Sequence, residues 1–517
     1  MTYHAKLSVF RGQSSDERPI NNMTPTQEQK LIIEANDRIV KVNAFAGTGK
    51  TSTLVERAKV HKDRTLYLAF NKSVAEEATL RFPTNVTCKT QHSLAWAAII
   101  GKRHNGYTYT LGKLSIFNTS KFFRTDYYTA SLVHKTLENF CCSSDSTITK
   151  DHAAVDVIGK FDFPIEEKLT SYASQVWGMM IKADRQFPMT HSGYLKLFQL
   201  SKPKLGYPVI FLDEAQDTNP VVHDIVLSQA QHGSQIVLVG DKYQQIYQFR
   251  GAVDALDKVE APSYYLTQSF RFGSQVAGVA NHLLNGFFSE ERPLQGLGAE
   301  GTIGGARPEN YTFLARTNAF LFAEACNKAG RCKMFASGSG QYGELPLFQA
   351  VMDVYNLYAG NKQDIKDIEL KNFDTYKDLY DFVQTGQADP EWSISTAVVE
   401  KYRAGVPAQV GKIRSSLTST AADAQVVLVT AHRAKGMEWD TVVLGSDYPE
   451  LFTEDGDLKE IGPDRLTQVK ADEINLLYVA STRAKKNLIT NTQLDTFLSY
   501  RESATKPVAK KFEVILP

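Results

Sequence analysis

The stretch "AFAGTGKT", Ala44 to Thr51, carries two glycines, a lysine and a hydroxyl residue in the spacing of a phosphate-binding loop, with alanine at the first position where glycine is usual. Glycine at 47 and 49 lets the backbone turn so that its N–H groups face a phosphate. A helix beginning near Lys50 adds the positive end of its dipole. Ala44, Ala46, Gly47, Thr48, Gly49, Lys50, Thr51 and Ser52 are therefore the expected nucleotide cradle. Lys50 is expected to reach the β- and γ-phosphates and Thr51 to ligate Mg2+. A second acidic group completes the chemistry. In "VIFLDEAQD" an apolar, β-rich run ends in Asp213 and Glu214. At a strand end both carboxylates can project toward the loop, Asp213 to hold Mg2+ through water and Glu214 to polarise an attacking water. The expected chemistry is hydrolysis of ATP with Mg2+.

Such residues need elements to hold them. "RIVKVNAF" reads as a strand and "TSTLVERAKVH" as a helix; "RTLYLAF" and "NKSVAEEATLRF" repeat the pair. This alternation predicts a parallel α/β sheet. "TPTQEQKLIIEA" predicts a helix before it, with Thr24 as N-cap, Pro25 at N1 and Gln27 at N3. Strand signals return in "YPVIFLDEA", "SQIVLVGD" and "SYYLTQSF". A second α/β run follows in "NYTFLAR", "AQVVLVTAHRA", "DTVVLGSDY" and "NLLYVASTRA", the last read as an apolar strand before Arg483. Looser, helical patterns fill the gaps. The expected organisation is two parallel-sheet α/β lobes, each with a mostly helical insertion. Lobe 1A takes 1–95 and 185–265, insertion 1B 96–184, lobe 2A 266–345 and 416–517, and a short insertion 2B 346–415.

The chain has 517 residues, 43% hydrophobic and 22% charged, which suits packed cores. With 58 basic and 57 acidic residues the formal net charge is +1, so attraction to a polyanion has to be local. Five cysteines lack zinc-finger spacing, and the adjacent pair Cys141 and Cys142 is ill-suited to a disulfide. A reducing, intracellular and soluble setting is expected, in cytoplasm, nucleoid or nucleus. No apolar run approaches the ~18–20 residues of a membrane helix, and no secretory leader is seen.

The sequence resembles superfamily 1 helicases of the UvrD type over about 24–495, and within them the helicase part of the F-box DNA helicases. The resemblance rests on the order of "NAFAGTGKTSTLVERA", "LYLAFNKSVAEEA", "CKTQHSLAW", "GYLKLFQLSKP", "DEAQDTNP", "GDKYQQIYQFRGAVDAL", "YLTQSFRFG", "TAHRAKGMEWD" and "LLYVASTRA". It implies two RecA-like parallel-sheet lobes of a P-loop NTPase, with Gln27 reading the adenine edge, Phe270 stacking on the base and Glu438 contacting the ribose. It implies that Arg271 and Arg483 point at the γ-phosphate from the second lobe and that Gln244 senses its loss. With about 23 residues before Thr24 no F-box is expected, so a ubiquitin-ligase role is not carried over. The tail after "LLYVASTRA" is too short for a fused nuclease.

A single strand is held by base stacking plus local positive charge. "IYQFRGA" supplies Tyr247, Phe249 and Arg250 at close spacing, and the resemblance implies that Phe249 stacks on a base. Phe70, Asn71, His92, His432 and Arg433 are further expected DNA contacts. The implied activity is an ATP-dependent helicase moving 3′ to 5′ on single-stranded DNA. Its partners would be single strands, single-strand/duplex junctions and recombination or replication proteins, with no membrane. The alternatives are a translocase that strips protein from DNA, and a non-hydrolysing ATP-dependent loading factor.

Overall fold

The computed structural model describes residues 24–155, 165–247, 256, 259–336, 347–386, 388–464 and 466–505. Six strands form the first sheet: β1 (Ile39–Ala44), β2 (Thr65–Ala69), β3 (Val86–Thr90), β4 (Val209–Leu212), β5 (Gln235–Gly240) and β6 (Ser263–Leu266). All pairings are parallel, in the order β3-β2-β4-β5-β1-β6. Parallel strands covered on both faces read as continuous apolar runs, and β2 and β4 are buried throughout. Because β1, β4 and β5 lie side by side, their carboxyl ends bring the phosphate loop, Asp213 and Asp241 to one rim, where open α/β sheets bind ligands.

Helix α1 (Gln27–Glu34) differs from the expected start. Its N-cap is Thr26, not Thr24, and a capping box joins Thr26 to Gln29 rather than Gln27. The reciprocal bonds are Gln29 N–H to Thr26 Oγ1 at 3.2 Å and Thr26 N–H to Gln29 Oε1 at 3.0 Å. Helix α2 (Lys50–His61) follows the loop and α3 (Lys72–Arg81) is capped by Asn71. The chain between β3 and β4, which holds the expected first insertion, contains α4 (Gln91–Ile99), α5 (Ile116–Phe123), α6 (Tyr127–Cys142), α7 (Ile165–Met180) and α8 (His191–Leu200). Its apolar faces share one core with Ile210, Leu212, Ile236 and Leu238 of the sheet.

A second parallel sheet runs, in spatial order, Met334–Ala336, Val426–Thr430, Tyr311–Ala315, Trp439–Leu444 and Ala484–Ile489. The segment expected as a strand before Arg483 is instead a helix, Ala471–Ser481. Residues 474–481 are buried on every side, so no polar face marks the helical period. Helices Leu347–Tyr358, Tyr376–Gln384, Pro390–Tyr402 and Val406–Ser416 form the second insertion and share a core with this sheet. The two lobes also meet in one apolar cluster. Phe45, Tyr243 and Ile246 of the first pack with Leu477, Tyr478 and Ala431 of the second.

Candidate active site at the lobe seam

The phosphate loop leaves β1 at Ala44. Gly47 and Gly49 have φ of +74° and +80°, a region that favours glycine. Space is as restrictive as conformation at Gly47, where a Cβ would lie 2.7 Å from Arg271 Cβ. Lys50, the first residue of α2, donates to Glu214 Oε1 at 2.9 Å. Glu214 itself has φ +49°, a left-handed backbone in a non-glycine residue, of the kind that clusters at functional sites. Asp213 accepts from the Tyr67 hydroxyl and, at Oδ1, from Glu214 N–H at 2.9 Å. Burial and the Glu214 charge beside it push the Asp213 carboxyl up. Burial acts the same way on Glu214, but the Lys50 and Lys435 ammonium groups overcome it and hold that carboxyl well below the usual range.

Lobe two supplies the other wall. Lys435, whose side chain is 8% exposed, pairs with Asp217, lies 3.4 Å from Glu214 Oε2 and donates to Gln244 O at 2.8 Å. Asp217 Oδ1 is buried without a hydrogen bond, and burial pushes its carboxyl up to about 6. The Tyr478 hydroxyl accepts from Ala46 N–H at 3.1 Å and donates to Asp241 Oδ2 at 3.1 Å, linking the phosphate loop to the end of β5. Gln244 donates to Asp241 at 2.7 Å and accepts from Arg483 Nη2 at 3.4 Å. Arg483 is fully buried. Burial, with Arg271 nearby, lowers its guanidinium to about 9, still a cation at neutral pH.

Arg271 donates to Glu438 at 2.7 Å and to Thr482 O at 3.2 Å, beside the phosphate loop. Phe270 N–H donates to Gly47 O at 2.9 Å, and its ring edge lies 3.8 Å from where a Gly49 Cβ would stand. The Gln29 amide nitrogen is 3.2 Å from that same point. Gln27, by contrast, is the exposed first residue of α1. The amide beside the loop is therefore that of Gln29. Thr48 Oγ1 donates to Phe45 O, Ser52 accepts from Arg81, and Thr51 stands on the first turn of α2.

On the other side of the seam Phe70 stacks on Tyr247 at 5.2 Å, and the Tyr247 hydroxyl donates to His432 O at 3.1 Å. His432 and the exposed Arg433 sit on a short helix, Ala431–Ala434, that leads into Lys435. His92 packs edge-on to Tyr194, and burial, with His191 close by, lowers its pKa. Asn71 spends its side-chain oxygen on capping α3. Phe249 and Arg250 lie outside the described residues. Lys435, Asp217, Tyr478, Asp241 and Gln29 were not singled out from the sequence, although each lies within or beside a quoted motif.

Two family models match the chain, an AAA domain over residues 27–250 and a UvrD-like helicase C-terminal domain over 409–494. F-box DNA helicase 1 of Gallus gallus is 37% identical over 509 residues, covering 92% of this chain and 50% of that protein. This chain belongs to the UvrD-like helicases. F-box DNA helicase protein 1 of Schizosaccharomyces pombe is 32% identical over 525 residues, 90% of this chain and 57% of that protein. A probable DNA helicase of Mycoplasma pneumoniae is 24% identical over 526 residues, 92% of this chain and 85% of that one. The chain thus spans about half the length of the two F-box relatives. The P-loop α/β fold and the UvrD-like assignment agree with the two parallel sheets. Among the described residues no helix is long and apolar enough to cross a membrane.

Proposed function

We propose that this chain is an ATP-driven motor that moves 3′ to 5′ on single-stranded DNA and separates duplex DNA at single-strand/duplex junctions. The observation that carries the reading is the composite seam: Lys50 and Glu214 of one lobe face Lys435, Arg483 and the Arg271–Glu438 pair across Gln244. Glu214 is the base for the attacking water. Arg271 and Arg483 stabilise charge on the transferring phosphoryl group, a contribution typically of ~10³–10⁵ in rate. Phe270 and Gln29 flank the base, and Glu438 meets the ribose. Because the two lobes contribute different parts, turnover requires their correct mutual placement, and the same placement sets the strand side where Phe70, Tyr247, His92 and His432 lie. The set Lys50, Thr51, Asp213, Glu214, Arg271 and Arg483 favours hydrolysis over an inert loading factor.

The residues fit Mg2+ bound with the triphosphate. Thr51 would offer its hydroxyl oxygen to the ion and Asp213 would hold it through water. That donor set is what Mg2+ uses when phosphates and water complete its shell. Bound there, Mg2+ neutralises charge on the phosphates. Strand displacement on 3′-tailed, 5′-tailed and blunt duplexes tests the reading, together with ATPase measured with and without single strand. Unwinding of the 3′-tailed duplex and strong stimulation are expected. Preference for the 5′ tail, or a hydrolysis rate indifferent to DNA, would overturn it.

A further inference from the structure

Residues 78–125 contain no Asp or Glu, although 57 acidic residues in 517 would place about five in a stretch of that length. The same stretch carries Arg81, Lys89, Lys102, Arg103, Lys113, Lys121 and Arg124. In a chain of net charge +1 this is a local concentration of positive charge. Two of these cations stand where α4 leaves the first lobe. Lys102 and Arg103 are exposed in the loop that follows α4, and neither forms an ion pair among the described residues.

Two large aromatic rings stand in this basic surface. Trp96 is 47% exposed and Tyr107 39% exposed. Both are only partly covered, Tyr107 by the Tyr109 ring at 6.2 Å, which leaves aromatic surface open to solvent. The Trp96 ring reaches over Gly101, 3.5 Å from where a Cβ would stand, and so lies beside the Lys102–Arg103 turn. Trp96 is also four residues from His92 on α4, one helical turn along the same side. His92 belongs to the strand track proposed above, and α4 carries that side of the track outward to Trp96.

Exposed aromatic faces interleaved with unpaired cations are the chemistry that holds unpaired bases and their phosphates. We infer that Trp96, Lys102, Arg103 and Tyr107 form an outer landing for single-stranded DNA, continuous with the track between the lobes. Trp96 and Tyr107 stack on bases, and Lys102 and Arg103 neutralise backbone phosphates. The inference rests on the single-strand motor reading and adds a segment of bound strand to it.

Fluorescence anisotropy with oligo-dT of about 8 and about 20 nucleotides tests this, since the site sizes of single-strand grooves run from about 4 to 16 nucleotides. The parent chain should bind the longer oligonucleotide more tightly. Trp96→Ala should weaken the longer complex about 5- to 100-fold and leave the shorter one unchanged, with Trp96→Phe restoring most of the loss. The double variant Lys102→Glu/Arg103→Glu should lower the slope of log K against log salt by about 1.4 on the longer strand, two contacts at ~0.7 each. All four positions are exposed or half-exposed, so folding is not at stake. Equal losses on both lengths, no loss on either, or equal competition by a blunt duplex would overturn the landing. A parent that binds the short strand with no gain on the long one overturns this surface alone; a parent that binds neither overturns the motor reading with it.

Discussion

Lys435 crosses from the second lobe to stand 3.4 Å from the Glu214 carboxylate of the first, and the same ammonium is paired with Asp217. It follows directly on the helix that carries His432, whose carbonyl is held by Tyr247. The proposed strand side at His432 and the proposed base Glu214 are thus linked through the short segment from His432 to Lys435. Lys435→Met leaves Asp217 buried without its counter-ion, a change that costs ~3–5 kcal/mol in buried pairs. A lower melting temperature and loss of DNA-stimulated ATPase are expected. Adding Asp217→Asn removes both charges and should recover the stability but not the stimulation. Recovery of both would make the pair a scaffold and nothing more.

Glu214→Gln keeps the shape of the side chain and removes its charge. Turnover should fall by ~10²–10⁴, the usual contribution of general-base catalysis, while nucleotide binding persists. Binding should hold or tighten, because the partner that engages Lys50 at 2.9 Å is no longer an anion. Titration with a fluorescent ATP analogue beside steady-state hydrolysis separates the two effects. Parental turnover in this variant would remove Glu214 from the role of base.

Gln29 and Gln27 make a paired test of the base pocket. Gln29→Ala should raise KM for ATP by about tenfold and relax discrimination against GTP, since a lost polar contact to a base is worth ~1–2 kcal/mol. It also breaks the capping box, so Gln29→Glu, which can keep the bond to Thr26 N–H, serves as the control. Gln27→Ala, at an exposed helix start, should leave KM alone. The reverse pattern would return the adenine contact to Gln27.

Asp217 gives the seam a pH signature. Its folded carboxyl titrates at about 6, above the ordinary value near 4 that the unfolded chain keeps. The folded state therefore takes up this proton first, and its contribution to stability is present at low pH and fades as pH rises through about 6. Glu214 acts with the opposite sign, but only as pH falls below its ordinary range near 4.5. Between about pH 4.5 and 6 the parent should lose stability relative to Asp217→Asn as pH rises, by up to ~1.4 kcal/mol per pH unit. Urea denaturation across that window reads it, and parallel curves for the two proteins would refute it.

The phosphate loop and the acidic strand end were legible because both chemistries sit on local spacing: a lysine three residues after Gly47, two acids after an apolar run. The same was true of the two alternating α/β runs. The helix Ala471–Ser481 was not, since a segment buried all round shows neither a two-residue nor a 3.6-residue period. Lys435 and Tyr478 escaped for another reason. Their partners Asp217 and Asp241 are 218 and 237 residues away in sequence, and only the approach of the lobes creates the contact. The helix start at Thr26 was missed by two residues, the scale on which competing hydroxyl residues decide such starts.

Phe45, Tyr243 and Ile246 of the first lobe are buried in one apolar cluster with Leu477, Tyr478 and Ala431 of the second. Parting the halves like a clamshell would wet that greasy plug, so wide gaping is the expensive direction of travel. Sliding and small rotations that keep the plug dry are the cheap ones. For the proposed motor, such a bearing favours short, repeated slips over wide opening.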